Sequence, residues 1–164
     1  MQRKLFIIRH GKSSWESIVA DIDRPLTEKG VKDAGQIAEI LKQKKLLPEA
    51  IYSSPANRAL HTAIIMSRAW ELADQNIHIS NDLYLPESSD ILRVISGIPD
   101  ETTSVAIYGH NPGFTQFANR FMKEPVDNVP TAGAVVVTME LDSWTDLVNA
   151  TVTDVIFEFP KNYR

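Results

Sequence analysis

The sequence predicts a single α/β domain built around parallel strands, and three observations lead to this prediction. Short apolar runs typical of buried parallel strands lie at residues 5–8, 50–52 and 104–108. Segments with helical periodicity separate these runs, and such alternation of strands and helices is typical of α/β proteins. The 164 residues are enough to bury one core and do not require a second one. One domain is therefore expected over residues 1–164.

The predicted helices begin at recognisable sequence signals. Thr27 is expected to cap a helix over residues 27–44, because its hydroxyl can accept a hydrogen bond from an amide of the first turn. Ser54 is expected to cap a second helix over residues 55–72, with Pro55 as its first residue. Further helices are predicted at residues 89–95 and 114–122. Two last strands are predicted at 134–141 and 152–159, joined through a loop around residues 143–149.

Composition excludes several classes of function. The chain contains no cysteine, which rules out disulfides, zinc–thiolate sites and a cysteine nucleophile. Its formal net charge is −4 and it has no basic stripe with interleaved aromatic residues, so nucleic acid is not an expected partner. The apolar run near the N-terminus is too short for a signal peptide or a membrane span. We therefore expect a cytoplasmic protein without a membrane partner.

Basic and imidazole side chains follow the three central strands, at the points where these strands end. The residues concerned are Arg9, His10 and Gly11 after the first strand, Arg58 on the first turn of the helix after the second, and Gly109, His110 and Asn111 after the third. The carboxyl ends of parallel strands meet at one edge of the sheet, where α/β proteins bind their ligands. Guanidinium groups match phosphate oxygens, and a neutral imidazole can attack phosphorus. The pattern predicts a phosphoryl-transfer site.

Four segments resemble the histidine phosphatase superfamily, whose signature is Arg-His-Gly at the end of the first strand. They read LFIIRHGKSSW (residues 5–15), DRPLTEKG (23–30), IYSSPANR (51–58, followed by Thr62) and IYGHNPGF (107–114). Within the superfamily, the chain resembles the short phosphohistidine phosphatases of the SixA type over nearly its whole length. The resemblance implies a three-layer α/β/α sandwich of the phosphoglycerate mutase type, with a mostly parallel sheet.

The resemblance also implies roles for individual residues. His10 corresponds to the residue that becomes phosphorylated, and Arg9, Arg58 and His110 correspond to the clamp on the phosphoryl oxygens. Arg24 either faces the same pocket or caps the following helix from outside.

Other residues next to the motifs are candidates for contact with substrate. Ser13 and Lys12 directly follow Arg-His-Gly and could donate to the phosphate or the leaving group, although a solvent-facing Lys12 is the simpler interpretation. Gly11 leaves room for close approach of the backbone, as does Gly109, and Asn111 follows the second motif histidine. We therefore include Gly11, Ser13, Arg24 and Asn111 in the expected substrate-binding set.

The proton donor to the leaving group is the least certain part of the predicted site. Larger members of the superfamily carry a glutamate after the third strand, and the nearest counterparts here are Asp82 and, as a second candidate, Glu87. Protonated phosphohistidine departs easily, whereas an alkoxide leaving group needs a general acid. The sequence therefore favours a protein phosphohistidine phosphatase. A phosphatase of small phosphomonoesters is the alternative, and a non-catalytic phosphate-binding module is a more remote one.

Three other motifs predict competing functions less well. Gly11-Lys12-Ser13 resembles the end of a P-loop, but Phe6 stands where that motif requires glycine. Asp21 and Asp23 resemble the aspartates of magnesium-dependent phosphatases, yet those residues close the first strand of their sheet, and here that place is taken by residues 5–9. His61 and His78 are interpreted as surface histidines rather than metal ligands. Neither metal nor cofactor is expected.

Overall fold

Six strands form one mixed sheet in the computed structural model, which describes residues 1–16 and 18–163. In chain order the strands are β1 (Gln2–Arg9), β2 (Ala50–Ser53), β3 (Ile77–Ile79), β4 (Ser104–Gly109), β5 (Ala134–Glu140) and β6 (Thr151–Glu158). Their order across the sheet is β3-β2-β4-β1-β5-β6. The first four strands are parallel, while β5 and β6 pair antiparallel at one side. The predicted α/β class and the mostly parallel sheet are confirmed.

Four helices cover the two faces of the sheet. They are α1 (Glu28–Gln43), α2 (Asn57–Ala69), α3 (Ser88–Ser96) and α4 (Gly113–Asn119). Alternate residues of β1 point to opposite sides, so Phe6 and Ile8 pack with α1 and α2, whereas Leu5 and Ile7 pack with α3 and α4. The result is the expected three-layer sandwich. None of the helices within residues 1–16 and 18–163 is long and apolar enough to cross a membrane.

The helix starts differ in how well local sequence predicts them. Thr27 caps α1 as expected, because its hydroxyl accepts the amide of Gly30 at 3.0 Å. The predicted helix is present as α2, but its predicted start is wrong, since the helix begins at Asn57, with Ala56 rather than Ser54 as the preceding cap residue. The region around residues 143–149 forms a short 3₁₀ segment, Trp144–Asn149, between β5 and β6.

Strand register places the two motif histidines side by side. β1 and β4 are neighbours in the sheet, and Arg9 pairs with Gly109 at their carboxyl ends. His10 and His110 directly follow the two strands, and the amide of His10 donates to the carbonyl of Gly109 at 3.1 Å. The sheet itself therefore sets the spacing between the two imidazoles.

Candidate active site

A cavity of about 280 Å³ opens at the carboxyl ends of β1 and β4. Eleven residues line it: Arg9, His10, Lys12, Ser13, Trp15, Arg24, Arg58, Leu85, His110, Asn111 and Thr131. Most side chains that the sequence singles out for phosphoryl chemistry thus line the same cavity. Gly11 does not line the cavity. A Cβ added to Gly11 would lie 2.9 Å from the Gly30 carbonyl oxygen, so its missing side chain makes room for the start of α1 rather than for a ligand.

His10 is held as a neutral imidazole with one nitrogen available for attack. Its Nδ1 lies 2.6 Å from the carbonyl oxygen of Gly11, which can only accept, so Nδ1 carries the ring proton and Nε2 keeps its lone pair. The side chain is only 8% exposed. The pKa of His10 is lowered to about 4, mainly by burial and, to a smaller extent, by the positive charges of Arg58 and Arg9.

His110 faces His10 with a ring-centroid separation of 5.2 Å. Its Nε2 lies 2.7 Å from the hydroxyl of Ser54, which already accepts the amide of Ala56 at 3.1 Å. Within the described part of the chain this hydroxyl has no other acceptor for its proton, so we assign Ser54 as donor to Nε2, which places the ring proton on Nδ1. Burial first, and the nearby positive groups second, lower the pKa of His110 to about 3.

Unsatisfied buried donors mark where an anion fits. Nδ1 of His110 and Nε of Arg9 are the two buried side-chain polar atoms without a hydrogen-bond partner among residues 1–16 and 18–163. Both residues line the cavity. Buried donors without a partner are rare and costly, so an acceptor such as a phosphoryl oxygen would satisfy both. The Nη1 atom of Arg9 meanwhile donates to the Val129 carbonyl at 2.9 Å, which fixes the direction of the guanidinium.

Comparisons with known proteins agree with this geometry. The model of the histidine phosphatase superfamily (branch 1) matches residues 5–84, which include Arg9, His10 and Arg58. The structure of the protein histidine phosphatase SixA complexed with tungstate superposes with a TM-score of 0.79 at 22% identity, covering 98% of this chain and 99% of that one. The crystal structure named as the putative phosphohistidine phosphatase SixA from Agrobacterium tumefaciens superposes with a TM-score of 0.76 at 25% identity, covering 94% of this chain and 97% of that one.

Residues 5–84, just under half of the chain, match the histidine phosphatase superfamily (branch 1). The fold of the chain is SixA-like, and the match to the superfamily model supports phosphatase activity.

Sequence relatives match either most of the chain or about half of it. An uncharacterized chloroplastic protein of Arabidopsis thaliana is 29% identical over 156 residues, which are 89% of this chain and 71% of that protein. The 2,3-bisphosphoglycerate-dependent phosphoglycerate mutase of Cutibacterium acnes is 34% identical over 90 residues, 46% of this chain but 36% of the mutase. The chain thus spans only about a third of the mutase's length.

Arg24 lines the cavity and does not cap α1, whose cap residue is Thr27. Its guanidinium donates to the Ser14 carbonyl at 3.1 Å, to a carboxylate oxygen of Asp21 at 3.1 Å, and to the Ser13 hydroxyl. The exposed ring of Trp15 stacks on it, with 3.3 Å from the guanidinium carbon to the ring centroid. Arg24 therefore organises the loop after β1 and presents a positive charge to the cavity.

Asn111 and Ser13 line the cavity, but their polar atoms are engaged by the protein. The Asn111 amide donates to Asn128 and to the Val129 carbonyl, and its oxygen accepts from Thr115. These bonds tie the residues after β4 to the segment that also holds Arg9. Their predicted contact with substrate remains a prediction.

Neither candidate for the proton donor reaches the cavity. Asp82 lies in a 3₁₀ turn, half exposed, and its carboxylate is 3.4 Å from Arg93 of α3. Glu87 forms a capping box with Asp90 at the start of α3. Neither residue lines the cavity, and no Asp or Glu does so among residues 1–16 and 18–163. Leu85, which lies between them in the chain, does line the cavity, but Asp82 pairs with Arg93 and Glu87 caps α3, which counts against both as general acids.

Two residues in the site escape simple sequence reasoning. Ser54 orients His110, although a serine before a proline is also the ordinary signal of a helix cap. Thr62, one turn after Arg58, accepts the Gly11 amide at 2.9 Å and donates to the Arg58 carbonyl at 2.7 Å. Thr62 belongs to one of the resembling segments, which is the only signal that points to it.

The remaining histidines and a second, larger groove lie elsewhere. His61 and His78 are exposed, and His78 stacks on Tyr52 at the β2–β3 edge. A larger groove of about 710 Å³ runs between residues 121–126 and β6, and it is walled mainly by apolar side chains without a histidine. In the described part of the chain, no group of three or more His, Asp or Glu side chains is arranged to hold a metal ion.

Proposed function

We propose that this protein is a phosphohistidine phosphatase that uses His10 as its nucleophile and acts on a phosphohistidine-bearing protein. The observation that carries the proposal is the absence of a carboxyl group from the described cavity lining, next to a neutral histidine and several cationic donors. A site of this kind can stabilise a phosphoryl group in transfer, but it offers no evident acid for an alkoxide. It therefore favours substrates whose leaving group departs without such help.

The first step transfers the phosphoryl group to the enzyme. The Nε2 lone pair of His10 forms a bond to phosphorus while the bond from phosphorus to the substrate nitrogen breaks, and the released imidazole takes its proton from solvent. Arg9, Arg58 and the Nδ1 proton of His110 donate to the phosphoryl oxygens, where negative charge is concentrated. Because the imidazole of His10 stays unprotonated, it is ready to attack at neutral pH.

The second step returns the enzyme to its starting state. The oxygen of a water molecule bonds to phosphorus, the bond to Nε2 breaks, and the electron pair returns to His10 as inorganic phosphate leaves. No charge has to be supplied by a metal in this scheme, since guanidinium groups perform that task. Metal independence is thus part of the proposal.

A phosphatase of small phosphomonoesters is the second candidate. It is favoured by the partial match to phosphoglycerate mutases, and by the fold shared with a mycobacterial glucosyl-3-phosphoglycerate phosphatase at a TM-score of 0.64. A panel containing a phosphohistidine peptide, sugar phosphates and nucleotides separates the two candidates. Equal hydrolysis of sugar phosphates and the phosphohistidine peptide would favour the second.

The covalent step has its own test. Wild-type protein quenched during turnover should carry phosphate on His10 that is labile in acid and stable in base. His10→Ala should lose turnover, while His61→Ala, a matched change of an exposed histidine on α2, should retain it. Phosphate recovered on a serine or a carboxylate would refute the histidine mechanism.

A further inference from the structure

Asp21 lies at the centre of a cluster of charged and polar groups beside the cavity. One carboxylate oxygen accepts from Arg58 Nη2 at 2.9 Å and from the Tyr84 hydroxyl at 2.5 Å, and the other accepts from Arg24 Nη1 at 3.1 Å. The backbone carbonyl of Asp21 accepts from Arg58 Nη1 at 2.6 Å. Asp21 thus holds the two arginines through three hydrogen bonds and accepts a fourth from Tyr84.

The position of Asp21 is that of a support rather than of a ligand to substrate. Arg24 and Arg58 both line the cavity, whereas Asp21 does not. Arg58 has five N–H groups, of which one donates to the carboxylate of Asp21 and one to its backbone carbonyl. These two bonds fix the plane of the guanidinium, which also interacts with the Tyr84 hydroxyl and lines the cavity.

The bonds around Asp21 also keep it ionised. The Tyr84 hydroxyl is the largest cause that lowers the pKa of Asp21 to about 2, with Arg58 and Arg24 acting in the same direction. A permanent negative charge offsets part of the positive charge that three guanidinium groups bring to the site. The cluster therefore stays assembled when no phosphate is bound.

We propose that Asp21 is a positioning residue that pre-orients Arg58, and with it Arg24, to receive the phosphoryl oxygens. This inference rests on the proposed function, because it assigns to Arg58 the task of binding a phosphoryl group. It also gives a physical account of a carboxylate pair, Asp21 and Asp23, that resembles a magnesium-dependent motif. Only Asp21 of that pair contacts the arginines.

Binding of inorganic phosphate tests the inference apart from turnover. Asp21→Asn should raise the phosphate Kd, measured by calorimetry, by about tenfold. Residues in one hydrogen-bond network are commonly coupled strongly enough to change an equilibrium constant by about that factor. The matched control is Asp23→Asn, which removes the same charge two residues away. The Asp23 side chain is exposed and makes no hydrogen bond or ion pair within the described residues, so this variant should bind phosphate like the wild type.

A double-mutant cycle tests whether Asp21 acts through Arg58. In an Arg58→Ala background, Asp21→Asn should change the phosphate Kd much less than in the wild-type background. The ¹⁵N–¹H signals of the Arg58 guanidinium should broaden in Asp21→Asn but not in Asp23→Asn, since only the former frees its rotation. Tyr84→Phe tests the same contact in a chain that keeps the charge, and it should also raise the Kd.

The outcomes separate the two proposals. Wild-type protein that neither binds phosphate nor hydrolyses a phosphorylated substrate would overturn the proposed function. Wild-type binding and turnover with an unchanged phosphate Kd in Asp21→Asn, or with fully additive effects in the cycle, would overturn the positioning role alone. Equal losses in Asp21→Asn and Asp23→Asn would also overturn it, since they would show a general charge effect.

Discussion

The protonation of His10 is the property from which most of the proposed chemistry follows. At pH 5.5 an ordinary histidine with a pKa near 6.5 is about 90% protonated, whereas a group with a pKa of about 4 is about 3% protonated. An NMR titration of ¹⁵N-histidine-labelled protein, assigned with His10→Gln, should therefore show His10 neutral throughout the range from pH 5.5 upward. Arg58→Gln should raise the pKa of His10 only partly, because burial is the larger cause.

The same shift makes stability depend on pH in a defined direction. The pKa of His10 is lower in the folded state than in the unfolded chain, so the unfolded chain binds more protons between about pH 6.5 and pH 4. The free energy of unfolding should fall as the pH drops through this window. Because the pKa of His10 falls from 6.5 to about 4 on folding, the loss of stability from His10 alone approaches about 3 kcal/mol near pH 4.

Chemical denaturation at pH 7 and pH 4.5 isolates this contribution. Wild type and His10→Gln share every other titrating group, so the variant should lose less stability than the wild type between the two values. If both lose the same amount, or if His10 titrates near pH 6.5, the assignment of a desolvated neutral nucleophile is incorrect.

Further predictions concern the cavity and its surroundings. Removal of the side chain of Arg9, Arg58 or His110 should slow phosphatase turnover on the order of a hundredfold, as for other groups that stabilise transferring charge; a near-wild-type Arg58→Ala would contradict the clamp. Ser54→Ala should move the His110 ring proton off Nδ1, visible in ¹⁵N spectra, and slow turnover, while an unchanged tautomer would refute the assignment. Treatment with EDTA should leave activity intact, and activity lost with EDTA and restored by Mg²⁺ would contradict metal independence. Asp82→Asn should leave the rates of alkyl phosphate and N-phosphoryl hydrolysis both unchanged, because the Asp82 carboxylate pairs with Arg93. A selective loss of alkyl phosphate hydrolysis would instead identify Asp82 as the general acid.

The parts of the structure that local sequence predicts are those that local forces determine. Apolar runs define β1, β2 and β4 because they are buried on both faces, and Thr27 caps α1 because its partner is only three residues away. The carboxyl ends of these strands then bring His10 and His110 together through the register of the sheet. Nothing beyond strand order is needed for that part of the site.

The residues that sequence misplaces have partners distant in the chain. Ser54 has a local signal for a helix cap, yet its partner His110 is 56 residues away. Asp21 contacts Arg58 and Tyr84, which follow it in the chain by 37 and 63 positions, so the spacing between Asp21 and Asp23 does not predict its role. Asp82 follows a strand, but that strand is the short edge β3, which lies outside the centre of the sheet. Such choices among partners are made by tertiary packing.

The supports of the cavity are separate from its nucleophile, and this has a practical consequence. Val129 orients Arg9, Asp21 holds Arg58, and Ser54 orients His110. Among residues 1–16 and 18–163, the His10 side chain makes one hydrogen bond, to the neighbouring Gly11 carbonyl. Truncating His10 therefore disarms the reaction without dismantling the anion pocket. Under the proposed function, we expect the His10→Ala variant to retain a phosphorylated substrate that the wild-type enzyme would hydrolyse and release.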